Sequence, residues 1–331
     1  MGIRYILVGV LVGVIGVLGF VNPRRSALPN WPGDSELKDS LLDRLPLRLS
    51  EYHIFDGPPL DLRPASGFSA YDLSTTLFTD YAEKQRLIKL PPGSQLLMAG
   101  DGLPIFPDGT MLVKTFYYYY DQRDFAAGKR LIETRVMLLA HGKWIWGGYC
   151  WNTDGTEAFL VNGSSKMKIE WRDENGTIRD IQYVVPSHAD CAKCHKQSAR
   201  SSAELQAVGD EAKFLPLGPT GRNLKPGAAF QPSLPAFRLS LPAWQHSSYT
   251  LRQRVGAYLE VNCAHCHNPA GFCARSGLDL RWGGGLTDRR TIGKIIKLMK
   301  KGRMPLIGTT VVHEEAVALM ATYLQSLPFK H

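Results

Sequence analysis

The sequence has few cysteines and no dense block of basic residues, which excludes several protein classes. Its 331 residues include only six cysteines, too few for a disulfide scaffold. Lysine plus arginine number 39 against 30 aspartates plus glutamates, yet they form no dense basic block of the kind that binds nucleic acid. Charged residues make up 21% and hydrophobic residues 44%, which excludes disorder or a coiled coil as the main structure. The length predicts about two globular domains.

One long uncharged stretch covers residues 5–21, between Arg4 and the pair Arg24 and Arg25. Its 17 residues lie at the lower limit for a helix that crosses a bilayer, which needs about 20. No small-residue cleavage site follows it, which favours an uncleaved membrane anchor over residues 1–25; a cleaved secretory signal is the alternative. Either segment would export the rest of the chain. Residues 26–50, rich in proline and serine, are predicted to form a linker.

After this linker, the residue pattern divides the chain into three regions. Residues 51–186 alternate aromatic and β-branched runs with turn signals, which predicts an antiparallel β-rich domain; Asn175-Gly176 is the strongest hairpin signal. The four tyrosines at 117–120 are predicted to lie on a half-buried strand. Residues 187–245 read as a connector rich in proline and glycine. Helical periodicity then predicts three helices, over 249–262, from about 287, and over 313–327.

Two pentapeptides of the form C-x-x-C-H carry the strongest chemical signal: Cys191-Ala-Lys-Cys194-His195 and Cys263-Ala-His-Cys266-His267. Two thiols at this spacing match the two vinyl groups on one porphyrin edge, and the next residue lies where its imidazole binds the iron. The pattern therefore predicts two covalently attached haem c groups. The four cysteines would be the attachment sites, and His195 and His267 the iron ligands. Such attachment takes place outside the bacterial cytoplasm, which agrees with an exported chain.

A zinc site built from four thiolates is the competing interpretation of the same cysteines. Zinc ribbons separate their two pairs by about 15–20 residues. Here Cys191 and Cys263 are 72 residues apart, and zinc does not require a histidine after each pair. Haem is therefore the favoured prediction.

The first motif lacks an evident sixth iron ligand, because no methionine lies between Met167 and Met299. The open alternatives are a ligand from elsewhere in the chain or none at all. The candidates are Met137, Met167, His188 and His246. Two further cysteines, Cys150 and Cys273, belong to neither motif and are expected either to form a disulfide or to be free buried thiols.

The C-terminal part resembles a class I cytochrome c, with a helix, the second C-x-x-C-H, a loop, a Met-Pro pair and a last helix. By this resemblance Met304, 37 residues after His267, is the sixth ligand of the second haem. Its thioether sulfur would favour Fe(II). The predicted fold class is α+β: an N-terminal antiparallel all-β domain, a haem-binding connector, and a C-terminal all-α cytochrome c-like domain over residues 246–331.

Residues 50–331 also resemble a bacterial family of dihaem c-type cytochromes, similar sequences of which occur as C-terminal extensions of PQQ-dependent sugar dehydrogenases. The strings that carry this resemblance are 49–52 with Phe55, 71–73, 77–82 with Lys84 and Arg86, 106–107, 109–110, 113–116, 133–135, Tyr149, 151–152, 258–259, 262–269 and 276–278.

The family resemblance implies electron transfer. We expect a dihaem cytochrome that relays single electrons between redox partner proteins, such as a periplasmic dehydrogenase. It would lie on the periplasmic side of the inner membrane, anchored by its N-terminal segment, or be soluble there if that segment is cleaved. No nucleic-acid partner is expected, and no catalytic residue is assigned. The enzyme alternative is a dihaem peroxidase-like protein with an open first iron. In a third hypothesis, the β-rich domain docks a separate dehydrogenase.

Overall fold

The computed structural model describes residues 45–97, 102–197, 213–216, 218, 220–225, 240–283 and 288–328. The largest element in them is a six-stranded antiparallel sheet whose strands follow one another in chain order. Its strands are β1 Phe68–Ala70, β2 Glu83–Lys89, β3 Met111–Tyr119, β4 Lys129–Ala140, β5 Lys143–Trp151 and β6 Ala158–Val161.

The described residues also form two small antiparallel sheets, four α-helices and several short 3-10 helices. The small sheets pair β7 Ser165–Arg172 with β8 Ile178–Val185, and β9 Lys196–Gln197 with β10 Lys213–Phe214. The helices are α1 His188–His195, α2 Leu251–Asn262, α3 Arg289–Lys300 and α4 Glu314–Ser326.

Local sequence signals account for most of these elements. The hairpin predicted at Asn175-Gly176 is confirmed by the pairing of β7 with β8, and the three predicted C-terminal helices are confirmed as α2, α3 and α4. The four-tyrosine run lies on β3, with Tyr118 buried and Tyr120 just past the strand and exposed. Alternation along the strands gives the large sheet two faces, since successive side chains point to opposite sides, and the register shifts once, between Phe116 and Tyr117 of β3.

One face of the large sheet packs on the segment that precedes it. Leu49, Tyr52 and Ile54 are buried there against Val113 and Tyr149 of β3 and β5. Residues 45–50 of the predicted linker therefore pack on the sheet. No helix among the described residues is both long and apolar enough to cross a membrane. The predicted anchor, residues 1–25, lies outside the described residues.

The segment 75–81 joins the sheet to the helical region through buried hydrogen bonds. Asn262, the last residue of α2, accepts a 2.7 Å hydrogen bond from the Phe78 amide. The Asp80 carboxylate accepts from the amides of Thr310 and Val311 at 2.7 and 3.1 Å, and from the Thr310 hydroxyl at 2.8 Å. These bonds hold the loop before α4 against the residues that lead into β2.

The predicted fold class, an antiparallel all-β domain followed by a haem-binding connector and an all-α cytochrome c-like domain, is wrong. The chain has an N-terminal antiparallel sheet region and a C-terminal helical region, but an all-α domain is not clearly formed. The three C-terminal helices are separated by irregular segments at 263–283 and 301–313 within the described residues. These segments are rich in glycine and proline, which interrupt helices, and the second is bound to the sheet region through Asp80.

We expect Asp80→Asn to lower the free energy of unfolding by about 2 kcal/mol, because three hydrogen bonds to a buried carboxylate lose their charge assistance. Asparagine has nearly the same shape and tolerates the left-handed backbone of this residue, whose φ is 51°. Urea unfolding measures the change, with Asp180→Asn on the exposed part of β8 as the control. Equal stability of the two variants would contradict the role given to Asp80.

Candidate functional site

The first C-x-x-C-H motif forms α1. A capping box starts this helix: the Asp190 amide donates to the Ser187 hydroxyl, while the Asp190 carboxylate accepts from Ser187 at 2.7 and 3.1 Å. Residues three and four apart share one face of a helix, so Cys191, Cys194 and His195 point to the same side. The helix packs on β5, where His188 stacks on Trp146 with 4.5 Å between ring centroids.

The second motif follows α2 directly and folds into hydrogen-bonded turns. The amides of Cys266 and His267 donate to the Cys263 carbonyl at 3.1 and 2.9 Å. Asn268 fixes the next turn, because its side-chain amide donates to the Ala264 carbonyl at 2.7 Å. Gly271 lies so close that a Cβ there would be 2.5 Å from the Cys266 carbonyl oxygen.

The two motifs, remote in sequence, touch in space. The sulfur of Cys194 is 3.9 Å from the sulfur of Cys266, 72 residues later. The hydrogen bond from the Cys266 thiol lowers the pKa of Cys194, and the same bond raises the pKa of Cys266. Gln197, just after α1, donates to the backbone carbonyl of His265 at 3.2 Å, which ties the two segments together.

Two adjoining cavities lie beside the motifs. The first is lined by the first motif and by the sheet, with Cys191, His195, Met137, Trp146 and Phe214 among its walls. The second is lined by the second motif and the helical region, with Cys263, Cys266, His267, Met299 and Met304 among its walls. Five residues line both cavities: Cys194, Asn262, His265, Pro305 and Ile307.

Each motif histidine is oriented through Nδ1. His195 donates from Nδ1 to the Leu215 carbonyl at 2.7 Å, and burial lowers the pKa of His195 to about 4, so the ring is neutral. Its ring stacks on Phe214, which stacks on Trp146. His267 Nδ1 lies 3.2 Å from the Ser276 hydroxyl, and burial also lowers the pKa of His267. The carbonyl partner of His195 leaves Nε2 of that ring available for a metal, and His267 presents Nε2 in the same way when its Nδ1 donates to Ser276.

Some candidates for the sixth iron ligands line the two cavities and others lie outside them. Met304 lines the second cavity together with His267. Of the four side chains open for the first site, Met137 lines the first cavity, whereas Met167 packs between β7, β8 and the large sheet. His188 lies on the far side of Trp146, and His246 is exposed.

All six cysteines are free thiols. Cys150 packs between the large sheet and the β7–β8 hairpin, whereas Cys273 lines the second cavity. Of the two alternatives for this pair, the structure therefore has free thiols and no disulfide.

The residues fit covalently attached haem better than zinc. Each cavity is lined by the two thiols and the histidine of one motif and by at least one thioether, which together make the donor set of a c-type haem. A zinc site would use Cys194, His265 and Cys266, whose ligand atoms lie within 4.8 Å of one another. Cys191 and Cys263 are outside that group, so the described residues do not form the four-thiolate site.

From the sequence alone, no role was assigned to the charged side chains on the sheet wall of the first cavity. Arg86, Lys114 and Arg135 line it from β2, β3 and β4. A signal was present in the sequence, since Lys114 interrupts an otherwise apolar strand at a position that alternation makes inward-facing.

Gly271→Ala is expected to destabilise the protein by about 1–3 kcal/mol, because its Cβ would press on the backbone of the second motif. Gly293→Ala in α3 is the matched control, since a Cβ there meets nothing within 4 Å and alanine favours a helix by roughly 0.5–1 kcal/mol. Thermal or urea unfolding measures both variants. A stable Gly271→Ala protein would show that the second motif is not packed as described.

No family model, curated protein or solved structure matches the chain.

Proposed function

We propose that this protein carries two covalently attached haem c groups and transfers single electrons between redox partner proteins. The observation that carries the proposal is the contact between the two C-x-x-C-H motifs, each beside its own cavity. Two redox centres held at this contact would pass an electron from one to the other inside a single chain.

Each motif would hold one of the two haems. Cys191 and Cys194 would bond the first haem, and Cys263 and Cys266 the second. His195 and His267 would bind iron through Nε2, because their Nδ1 atoms are engaged by Leu215 and Ser276. The haem iron supplies the one-electron chemistry, and the apolar walls exclude water from it.

The sixth ligands we propose are Met304 for the second iron and Met137 for the first. Met304 shares its cavity with His267, and Met137 shares the other with His195. Sulfur in both sixth positions would favour Fe(II) and raise both potentials. An electron carrier needs this closed coordination more than a substrate-binding enzyme does.

The proposal also covers the cellular compartment of the protein and its electron donor. Membership of the dihaem c-type cytochrome family would account for both motifs, and residues 1–25 would anchor the chain on the periplasmic side of the inner membrane. A periplasmic dehydrogenase is the proposed kind of electron donor.

The direct test is to produce the full chain in a bacterium with a haem-attachment apparatus. We expect an intact mass that includes two haems, two irons per chain, and a reduced-minus-oxidised spectrum of c-type haem. A Cys263→Ala, Cys266→Ala double variant is expected to keep one haem. A colourless protein would refute the proposal, and zinc in place of iron would assign Cys194, His265 and Cys266 to a different metal site.

Replacing the sixth ligand of the second iron tests the role of Met304. We expect Met304→Leu to lower one of two midpoint potentials, because the thioether that favours Fe(II) is lost. Redox titration measures both potentials, and Met320→Leu in the core of the helical region is the volume-matched control that should change neither. Two unaltered potentials in Met304→Leu would remove this residue from the coordination.

Carbon monoxide tests the first iron. The reduced wild-type protein is expected to bind none, since both irons are six-coordinate, whereas Met137→Ala should bind one equivalent. Met167→Ala, which changes a methionine outside the cavity, should behave as wild type. Carbon monoxide binding by the wild-type protein would favour the peroxidase-like alternative.

A further inference from the structure

Three cations form a row on the sheet wall of the first cavity. In the strand register, Arg86 of β2 lies opposite Lys114 of β3, and Lys114 lies opposite Arg135 of β4. Neighbouring strands are about 4.8 Å apart, so the row spans roughly 10 Å. All three residues line the cavity that holds Cys191 and His195.

The acidic residues around the row neutralise only part of its charge. Arg135 is paired with Glu133 through two hydrogen bonds of 2.9 and 2.6 Å. Arg86 is 3.6 Å from Asp72, but that carboxylate is bound more closely by Lys225 at 2.6 Å. Lys114 makes no ion pair within the described part of the chain; its ammonium lies 4.9 Å from the ring centroid of Phe116.

Burial makes this surplus charge costly. Arg86 is only 5% exposed, and burial together with the neighbouring cations lowers the pKa of Lys114 well below its usual value. A buried charge is stable when an opposite charge accompanies it. An anion bound between Arg86 and Lys114 would meet that need.

Two buried polar atoms point to the same conclusion. The Thr79 hydroxyl and the Trp146 indole nitrogen are buried, line this cavity, and make no hydrogen bond within the described residues. Thr79 is 2% exposed. Buried donors are nearly always paired, so a ligand with acceptor oxygens in this cavity would satisfy them.

The two ends of the row differ in their surroundings. Arg135 lies on β4 two residues before Met137, which packs in the same cluster as Cys191. Burial raises the pKa of Cys191, and the charge of Arg135 opposes that rise. Arg86 also lines a neighbouring polar cleft, together with Asp72, Lys84 and Gln245. The cavity thus runs from thiols at one end to cations beside a polar cleft at the other. This matches a ligand with reactive vinyl groups at one edge and carboxylates at the opposite edge.

We propose that Arg86 and Lys114, with the Thr79 hydroxyl, bind the propionate carboxylates of the haem attached at Cys191 and Cys194. This inference rests on the proposed function, since it needs a haem at the first motif. It assigns a binding role to residues of 77–86 and 113–116 that the electron-carrier proposal leaves unused.

Redox titration of the full chain with both haems attached tests the assignment. Lys114→Met and Arg86→Gln are each expected to lower one midpoint potential and leave the other in place, because loss of a nearby cation favours Fe(III). Lys114→Arg should retain the wild-type potential. Lys166→Met, an exposed lysine on β7, is the control and should change neither potential.

Added acetate at constant ionic strength separates the two sources of a carboxylate. If the midpoint potentials of the wild type do not change with acetate concentration, bound propionates are supported. If a potential changes with acetate in the wild type but not in Lys114→Met, the site binds free anions and the inference is overturned. Wild-type potentials in Lys114→Met and Arg86→Gln would also overturn it. An intact mass without haem would instead refute the proposed function, and the inference with it.

Discussion

The arrangement of the candidate site depends on the contact between α1 and the turns that follow α2. Cys194 and Cys266 meet at 3.9 Å, and the hydrogen bond from Gln197 to the His265 carbonyl holds the two segments together. Without this contact, the chain would present two unrelated cysteine motifs, one on the sheet and one on the helical region. With it, the two cavities share lining residues, and His195 and His267 lie in adjoining cavities.

Two buried polar residues, Asn262 and Asp80, hold the segments around that contact in place. Asn262 ends α2 and binds the Phe78 amide, while Asp80 binds the loop that follows Met304. Phe78 in turn stacks on His313, with 3.9 Å between ring centroids, and His313 contacts the Tyr258 hydroxyl at 2.9 Å. The segment 75–81 thus couples the sheet to the helical region. Residues of both parts therefore line the first cavity.

Local signals in the sequence predicted local structure well. The Asn175-Gly176 hairpin and the helices α2 to α4 follow from turn chemistry and apolar spacing within short windows. The fold-class prediction was wrong because its C-terminal part was inferred from the resemblance to class I cytochrome c. Long-range hydrogen bonds, such as the one from the Thr310 amide to Asp80, also leave no local signal in the sequence. Likewise, the spacing of C-x-x-C-H identified both motifs, but not that they would touch. The row of Arg86, Lys114 and Arg135 became evident only from the strand register.

We propose that the two haems lie side by side in one chain, because the attachment residues Cys194 and Cys266 are 3.9 Å apart. Electron paramagnetic resonance of the matured protein tests this most directly, because two neighbouring oxidised irons perturb each other's signals. The account predicts a magnetic interaction in the fully oxidised protein that disappears when one haem is reduced to diamagnetic Fe(II). Two haem signals that stay the same whatever the oxidation state of the other iron would contradict it.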